Sequence, residues 1–325
     1  MGFLTSSLAL TQTALELGLV GSLTVLALYL SYSMLNVCDL STDGCFTFGA
    51  AVGAAVAISG HPYLAIICAI GAGVLSGLTT ALLQTKMGID SLLSGIIVNT
   101  GLYSVNIAVM GGASILNMNK TSTIFTLFRD LLEKISPALT PYSRLILILL
   151  FVLLVCIFLV VFLKTRLGLA IRATGNNPDM VRSSSINPHF TTIVGLCISN
   201  SFTALSGCLM AQSQKAVNID IGSGMLTIAL ASLLIGRTFF GRRRIPVQIF
   251  GAVLGAFIFR LVYTIALRLN MPAYMLKLIS SVIVILAIFI PYLKSRYPMM
   301  KRKLTTRNLT VSQVFTDTGK EGQDA

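Results

Sequence analysis

The chain has 325 residues, of which 55% are hydrophobic and only 11% are charged, and its formal net charge is +13 at pH 7. This composition excludes an ordinary soluble domain, because so apolar a chain is typical of polytopic membrane proteins. The positive charge does not indicate nucleic-acid binding, since the 24 Lys and Arg residues lie in short segments between apolar runs, where such residues set the orientation of membrane helices.

Apolar runs follow one another along the chain, and several reach the roughly 20 residues that a bilayer-spanning helix needs. Full spans are predicted at 10–35, 63–84, 91–110, 145–163, 190–210, 245–267 and 274–293. Two shorter apolar helices are predicted at 45–59 and 225–236. We therefore predict an all-α polytopic membrane protein with about 8–9 transmembrane or partial helices.

The spans form one transmembrane domain, residues 1–293, followed by a polar tail, residues 294–325. Its two long polar connections are 111–144 and 164–188. If the spans alternate in direction, most Lys and Arg residues fall on the side of 164–188 and the tail. Because cytoplasmic loops carry an excess of basic residues, this distribution predicts a cytoplasmic 164–188 and tail, and an external 111–144.

The connection 164–188, KTRLGLAIRATGNNPDMVRSSSINP, is the most distinctive polar stretch. The run GNNP at 175–178 predicts a turn, because proline disfavours helix at the residue before it. A short helix can start at Pro178, since proline is tolerated at the first helical position. These features predict a short amphipathic element at the membrane surface that docks a motor subunit. A solvated connection whose arginines only fix topology is equally compatible with the composition.

Two polar breaks resemble each other: DLSTDG at 39–44 and NIDIG at 218–222. Each is acidic, contains glycine and precedes a short apolar helix. Paired segments of this kind predict an inverted repeat and a transport pathway. If both short helices cross the membrane, the first break lies on the cytoplasmic side and the second outside. The alternative is two ordinary loops with helix N-caps, because Asp caps helices well.

Polar side chains within the spans form stripes on single helix faces. Asn99, Tyr103 and Asn106 share one face, and Asn200 and Thr203 share another. Polar residues at membrane depth face the bundle interior, where they line a path or join helices by hydrogen bonds. We predict a translocation path that also includes two carboxylates of the first break, and its residues are Asp39, Asp43, Asn99, Tyr103, Asn106, Asn200 and Thr203.

Motifs for chemistry are missing from the sequence. It contains no G-x-x-x-x-G-K-[ST], H-E-x-x-H or G-x-S-x-G pattern. Cys38, Cys45, His61 and His189 have no partners at metal-ligand spacing. We therefore predict no catalytic site, no metal and no cofactor.

Two stretches carry a resemblance to a known family: RLGLAIRATGNNPDMVRSSSIN at 166–187 and LNVCDLSTDGCFTFGAAVGAA at 35–55. They resemble permease subunits of bacterial ABC importers of the branched-chain amino-acid and ribose type. The second stretch is similar to the tryptophan/tyrosine-type uptake permeases. The match extends over most of 15–293 and leaves the tail outside. Cys38 and Cys45 depart from the small or apolar residues expected in or beside the motif.

The resemblance implies that 164–188 carries a cytoplasmic coupling helix, which docks into a groove of a separate ATPase subunit. The coupling residues it implies are Arg172, Gly175, Asn176, Asn177, Pro178, Asp179 and Arg182. It also implies two ATPase subunits, an extracytoplasmic substrate-binding protein, a second permease copy in a homodimer, and a bacterial inner membrane with its lipid. ATP hydrolysis would then belong to the partner and not to this chain.

We therefore predict a permease subunit that translocates a small solute, an amino acid in the first instance and an aromatic one as a candidate. One alternative is an ion-coupled secondary transporter with broken helices, which needs a titratable group in the path. Asp39 and Asp43 are the first candidates for that group, followed by Asp220. The other alternative is a membrane-embedded enzyme or a lipid flippase.

Overall fold

The computed structural model describes residues 2–135, 137–240 and 244–268, together with 278, 281–286 and 289. Most of the last predicted span, the arginines at 242 and 243 and the tail 294–325 therefore lie outside the described residues.

The described chain is a helical bundle with one short β-ribbon. Its helices are α1 Gly2–Leu28, which continues as a π-helix Tyr29–Met34, α2 Thr42–Ile58, α3 Pro62–Thr85, α4 Ser91–Val109, α5 Ile124–Ile135, a 3₁₀ helix Pro137–Tyr142, α6 Ser143–Phe162, α7 Arg166–Asn176, α8 Pro178–Ser183, α9 Pro188–Gln214, α10 Met225–Phe240 and α11 Ile245–Arg268. Strands β1 Ile115–Asn117 and β2 Ala216–Asn218 pair antiparallel. Among the described helices, six are long and apolar enough to span a membrane, and α2 and α10 are shorter apolar helices. This confirms the predicted all-α polytopic fold class.

Caps and prolines set several helix starts. Proline occupies the first turn of α3, α8 and α9, where its missing N–H costs nothing. The side chains of Asp90, Thr165, Asn177 and Asn187 accept hydrogen bonds from the first turns of α4, α7, α8 and α9. The predicted turn at 175–178 was wrong for Gly175 and Asn176, which are helical. Only Asn177 leaves the helix, with φ −157, because the proline restricts just the residue before it.

Helix α9 is the centre of the bundle and contacts α1, α2 and α3. Small residues allow this close approach, since a Cβ added at Gly49 or Gly73 would collide with the backbone of α9 at Ala204 or Asn200. Two buried hydroxyls join α9 to α1: Ser199 Oγ donates to Ala27 O at 2.8 Å, and Ser206 Oγ donates to Val20 O at 2.7 Å. These contacts make α1 and α9 antiparallel.

The short helix α2 runs parallel to α9. Cys45 Sγ donates to Asn200 O at 3.3 Å, and Gly53 faces Cys208 two turns further along both helices. Since Asn200 is near the middle of α9, α2 begins at the middle of the bundle and not at one of its ends.

The short helix α10 runs the opposite way. Tyr29 OH donates to Gln248 Oε1 at 3.0 Å, and Gly18 of α1 lies against Arg260, so α11 is antiparallel to α1. Gly236 of α10 faces Gly251 of α11. Ser232 lies one turn earlier in α10 and faces Gly255, which lies one turn later in α11. Helix α10 is therefore antiparallel to α11. Helices α2 and α10 therefore run in opposite directions, as the two halves of an inverted repeat do.

The two ends of the bundle carry different structures. One end, which we call the ribbon end, holds the β1–β2 pair that follows α4 and α9, and α5 is tied to it where Gln212 Oε1 accepts from Ile124 N at 2.9 Å. The other end, the α7 end, holds α7 and α8 before the start of α9, together with Lys86 at the end of α3 and Arg244 before α11. The connections 111–144 and 164–188 thus lie at opposite ends. That the α7 end faces the cytoplasm stays a prediction from the basic residues.

Candidate translocation path and coupling surface

The two polar breaks meet at the middle of the bundle. Asp43, in the first turn of α2, accepts from Gly224 N at 3.0 Å and from Leu226 N at 2.7 Å, and so caps α10. Gly222 N donates to Thr47 Oγ1 at 3.2 Å. The expectation that the breaks lie on opposite sides of the membrane was wrong, because the short helices start from one shared point and run apart. Each break does hold a helix N-terminus, and Asp43 caps the helix of the other break.

Asp39 and Asn200, both predicted path residues, bind each other. Asp39 is 1% exposed and accepts from Ser41 N at 2.8 Å and from Asn200 Nδ2 at 2.9 Å. Thr80 Oγ1 of α3 reaches the Ser41 hydroxyl at 3.3 Å. This enclosed cluster joins the first break to α3 and α9 by hydrogen bonds. Thr203 is also enclosed, with 1% exposure and a 3.4 Å bond to Ser199 O.

The other four predicted path residues line one cavity of about 420 Å³ between α2, α4 and the segment 219–224. Its lining residues are Asp43, Gly44, Thr47, Asn99, Thr100, Tyr103, Ser104, Asn106, Ile219, Asp220 and Ser223. Residues of both breaks and of the α4 stripe are therefore brought together. Sequence reasoning missed Thr100 and Ser104, although they lie one helical turn apart beside Asn99 and Tyr103 and widen the same polar stripe.

The wall that α4 contributes has two kinds of side chain. Tyr103 is 51% exposed, whereas Asn106 is 1% exposed and donates from Nδ2 to Gly44 O at 3.3 Å. A Cβ added at Gly44 would collide with Asn99 Oδ1, so the glycine of the first break lets α4 approach the start of α2. The cavity can hold a small solute among hydroxyls, amides, carboxylates and one aromatic ring.

The α8 helix is an exposed element with a single buried anchor. Asn177 Oδ1 accepts from Asp179 N and Met180 N, both at 3.1 Å, and Val181 is buried. Met180 is 53% exposed. Arg182 and Asp179 form a pair at 3.5 Å on the outer face, where an ion pair contributes little stability. Side chains of α8 are therefore free to contact another protein.

Helix α7 connects this surface to the first break. A Cβ added at Gly175 would collide with Met34 O and with the backbone of Leu35, so α7 sits directly on the end of the π-helix. Thr174 Oγ1 and Thr191 Oγ1, 2.8 Å apart, fix α7 to α9. The chain from Leu35 leads on to Asp39, and π-helical turns frequently occur at functional sites. Only the short segment 36–38 therefore separates the contact of α7 at Leu35 from the Asp39–Asn200 cluster.

The same end carries an open cavity of about 710 Å³. It is lined by residues of the π-helix, α7 and α8, namely Ser33, Met34, Asn36, Leu169, Arg172, Ala173, Gly175, Asn176 and Met180. Three predicted coupling residues, Arg172, Gly175 and Asn176, thus line this cavity. The other four, Asn177, Pro178, Asp179 and Arg182, belong to α8 and its N-cap. The six cysteines are free thiols. No group of three or more His, Cys, Asp or Glu residues that could hold a metal ion occurs among the described residues.

Comparison with known proteins gives the family. Residues 11–288 match the family model described as branched-chain amino acid transport system / permease component. The chain is 36% identical over 269 residues to a tyrosine transport system permease protein of Clostridioides difficile. The aligned region covers 82% of this chain and 86% of the relative. An uncharacterized protein of Rickettsia prowazekii is 31% identical over 85% of this chain and 95% of its own length.

A more distant relative is the galactose/methyl galactoside import permease protein MglC of Haemophilus influenzae, which is 26% identical over 70% of this chain and 66% of its own length. No solved structure matches the chain at a significant level.

Proposed function

The chain belongs to the branched-chain amino acid transport permease family, and on that premise we propose that it is the membrane subunit of an ATP-driven importer for a small solute, namely an amino acid, with an aromatic one as a candidate. It is an ABC-type permease, a multi-pass protein of the bacterial inner membrane and a transport subunit rather than an enzyme. The observation that carries the finer proposal is the pair of half-helices α2 and α10, whose starts enclose a polar cavity at the middle of the bundle.

A separate ATPase supplies the energy at the α7 end. The sequence has no phosphate-binding loop of its own, and α8 presents Met180, Asp179 and Arg182 on an exposed helix. Gly175 then acts through α7 and not as a direct ATPase contact, because it faces Met34 and Leu35.

An extracytoplasmic binding protein delivers the solute at the ribbon end. The connections 111–144 and 212–224 come together there through the β1–β2 pair, and 219–224 leads from that surface to the cavity. A second permease copy, in a homodimer, completes the membrane part of the importer. Exposed apolar residues on the outer faces of α3 and α6 offer surface for the second copy and for lipid, among them Ile67 at 65% and Leu154 at 57% exposure.

Transport follows from movement of α7. Closure of the ATPase dimer shifts α8 and α7, and α7 displaces the end of the π-helix and the first break. That shift alters the Asp39–Asn200 cluster and the Asp43 cap of α10, which together hold the half-helices in one arrangement. Only contacts that differ between the two arrangements can drive such an exchange. An amino-acid solute is supported by the name of the tyrosine transport relative.

The ion-coupled alternative would need a titratable carboxylate at the path. Asp39 does not suit that role, since both its oxygens accept hydrogen bonds and it is enclosed.

The test is a pull-down from detergent-solubilised membranes with wild-type protein and Met180→Asp, followed by identification of any recovered P-loop ATPase. Met180→Asp places a charge on the exposed face of α8 without touching the Gly175–Met34 contact. Met87→Asp is the matched control, because Met87 is 69% exposed at the same end but outside α7 and α8. We expect the ATPase with wild type and Met87→Asp and not with Met180→Asp. Equal recovery with both variants would contradict the assignment of α8.

A further inference from the structure

The cavity between the half-helices is acidic. Asp43 and Asp220 both line it, and none of its lining residues is Lys or Arg. Charge of one sign in a confined polar site raises the local concentration of solutes of the opposite sign. The negative charge that a solute meets in the cavity depends on whether each carboxylate is already paired with N–H groups of the protein.

Two of the three nearby carboxylates are committed to helix N-termini. Asp43 accepts from Gly224 N and Leu226 N, so it faces the partial positive charge at the start of α10. Asp39 accepts from Ser41 N, the N-cap residue of α2. The carboxylate of Asp220 accepts no hydrogen bond from the described residues. Only its backbone is bound: the N–H donates to Asn218 Oδ1 at 3.2 Å, and the carbonyl accepts from Ser223 N at 3.0 Å. Asp220 therefore supplies an uncompensated negative charge.

A second, independent feature is an unpaired acceptor. Asn106 Nδ2 donates to Gly44 O, and this bond orients the side-chain amide so that its oxygen, Oδ1, points away from Gly44. That oxygen is buried and has no hydrogen-bond donor among the described residues. Unpaired buried acceptors are rare because they cost free energy, and a small rotation of the Asn106 side chain toward the cavity would let the N–H of a bound solute satisfy this one.

The third feature is the ring of Tyr103, which is 51% exposed and lines the same cavity. The face of an aromatic ring attracts a cation that lies within about 6 Å of its centre. A free carboxylate, an unpaired amide oxygen and an aromatic ring are three groups that an ammonium group binds, and no Lys or Arg side chain lines the cavity to form an ion pair with an anion.

We propose that this cavity is a subsite for the protonated amine of the transported solute, with Asp220 as the ion-pair partner. The Asn106 carbonyl oxygen accepts one N–H, and the Tyr103 ring covers the cation. The inference rests on the proposed function, because it takes the cavity to be part of the solute path. Such a subsite favours solutes with an ammonium group over uncharged sugars and over carboxylates that lack an amine.

The first experiment measures the charge of the cavity without any solute. Ser104 is exposed and lines the cavity, so a cysteine at this position reports on the cavity. The Ser104→Cys variant in nanodiscs is treated with a cationic and an anionic methanethiosulfonate of similar size. The reaction of the wild-type protein with each reagent is subtracted as background. We expect faster modification by the cationic reagent. Adding Asp220→Asn should lower the ratio of the two rates by about fivefold, while Asp220→Glu keeps it. Ser59→Cys, exposed just after the end of α2 and outside the lining, is the control that should not respond to Asp220→Asn.

The second experiment asks whether an amine occupies the site. Tyramine and 3-(4-hydroxyphenyl)propanoate share a phenol ring but carry an ammonium and a carboxylate, respectively. Tyramine should slow modification of Ser104→Cys, the propanoate should not, and Asp220→Asn should abolish the protection.

Equal protection by both compounds, equal rates for both reagents, or no reaction at Ser104→Cys would overturn the subsite. None of these results depends on the ATPase, so the pull-down with Met180→Asp reports separately on the proposed function.

Discussion

The Asn200 side-chain amide donates to the Asp39 carboxylate across 2.9 Å, and this bond joins the first polar break to the central helix α9. Both residues are 1% exposed. The pair therefore fixes the break in place, and neither residue lines the cavity beside it.

Removing either member of this pair should destabilise the protein. Asp39→Ala leaves Ser41 N without its side-chain acceptor and Asn200 Nδ2 with only the longer bond to Ser41 Oγ, and a buried polar group left unsatisfied costs about 1–3 kcal/mol. The measurement is thermal unfolding in detergent for Asp39→Ala, Asn200→Ala and the double variant. The two losses should be strongly non-additive. Additive losses would mean that the two side chains do not stabilise the fold through each other.

Asp43 should stabilise the helical conformation of the first turn of α10. Asp43→Ala removes the acceptor for Gly224 N and Leu226 N, and loss of a helix cap costs about 1–2 kcal/mol. Hydrogen exchange of a peptide covering 222–228 should become faster in the variant. Asp220→Asn is the control, since its side chain caps nothing among the described residues. Unchanged exchange in Asp43→Ala would contradict the cap.

Close contact between α2 and α9 should depend on Gly49. A methyl group there meets the Ala204 backbone, and overpacking costs about 1–3 kcal/mol. Gly49→Ala should therefore lower the unfolding temperature in detergent. Gly21→Ala is the matched control in α1, because nothing lies within 4 Å of its added Cβ, and it should raise helix stability by about 1 kcal/mol. Equal effects of the two changes on the unfolding temperature would contradict the close contact between Gly49 and the Ala204 backbone.

Gly175 should govern how ATP hydrolysis is used. Gly175→Ala pushes α7 away from Met34 and Leu35, so movement of α8 no longer reaches the first break. We expect less solute transported per ATP hydrolysed, with ATPase binding retained. Gly101→Ala in α4, whose added Cβ meets nothing within 4 Å, should keep the wild-type ratio. A normal ratio in Gly175→Ala would show that force reaches the path by another route.

Much of this fold follows from local pattern. Apolar length predicts the spans, and the proline at position 178 predicts where α8 begins, whereas α9 begins at Pro188, two residues before the predicted span. Gly49, Gly73 and Gly251 each face a neighbouring helix at short range, and each has a second glycine four residues later, a spacing typical of close helix packing. These features depend on residues a few positions apart, so the sequence alone indicates them.

The arrangement at the centre depends on contacts between distant residues. Asp43 was predictable as a helix cap, but not as the cap of a helix that begins 182 positions later, at Met225. Periodicity placed Asn200 and Thr203 on an inward face without telling whether they line a cavity or bind a neighbour. Asp220 could be identified as a cavity residue only once 219–224 was seen to reach Asp43.

The most direct test of the proposed importer is uptake by proteoliposomes that contain the permease, the ATPase recovered with it and its binding protein. Radiolabelled L-tyrosine is the probe. Uptake should require ATP on the side of α7 and α8 and should persist when an ionophore collapses all ion gradients. Uptake that proceeds without ATP and stops with the ionophore would contradict the account and favour an ion-coupled transporter.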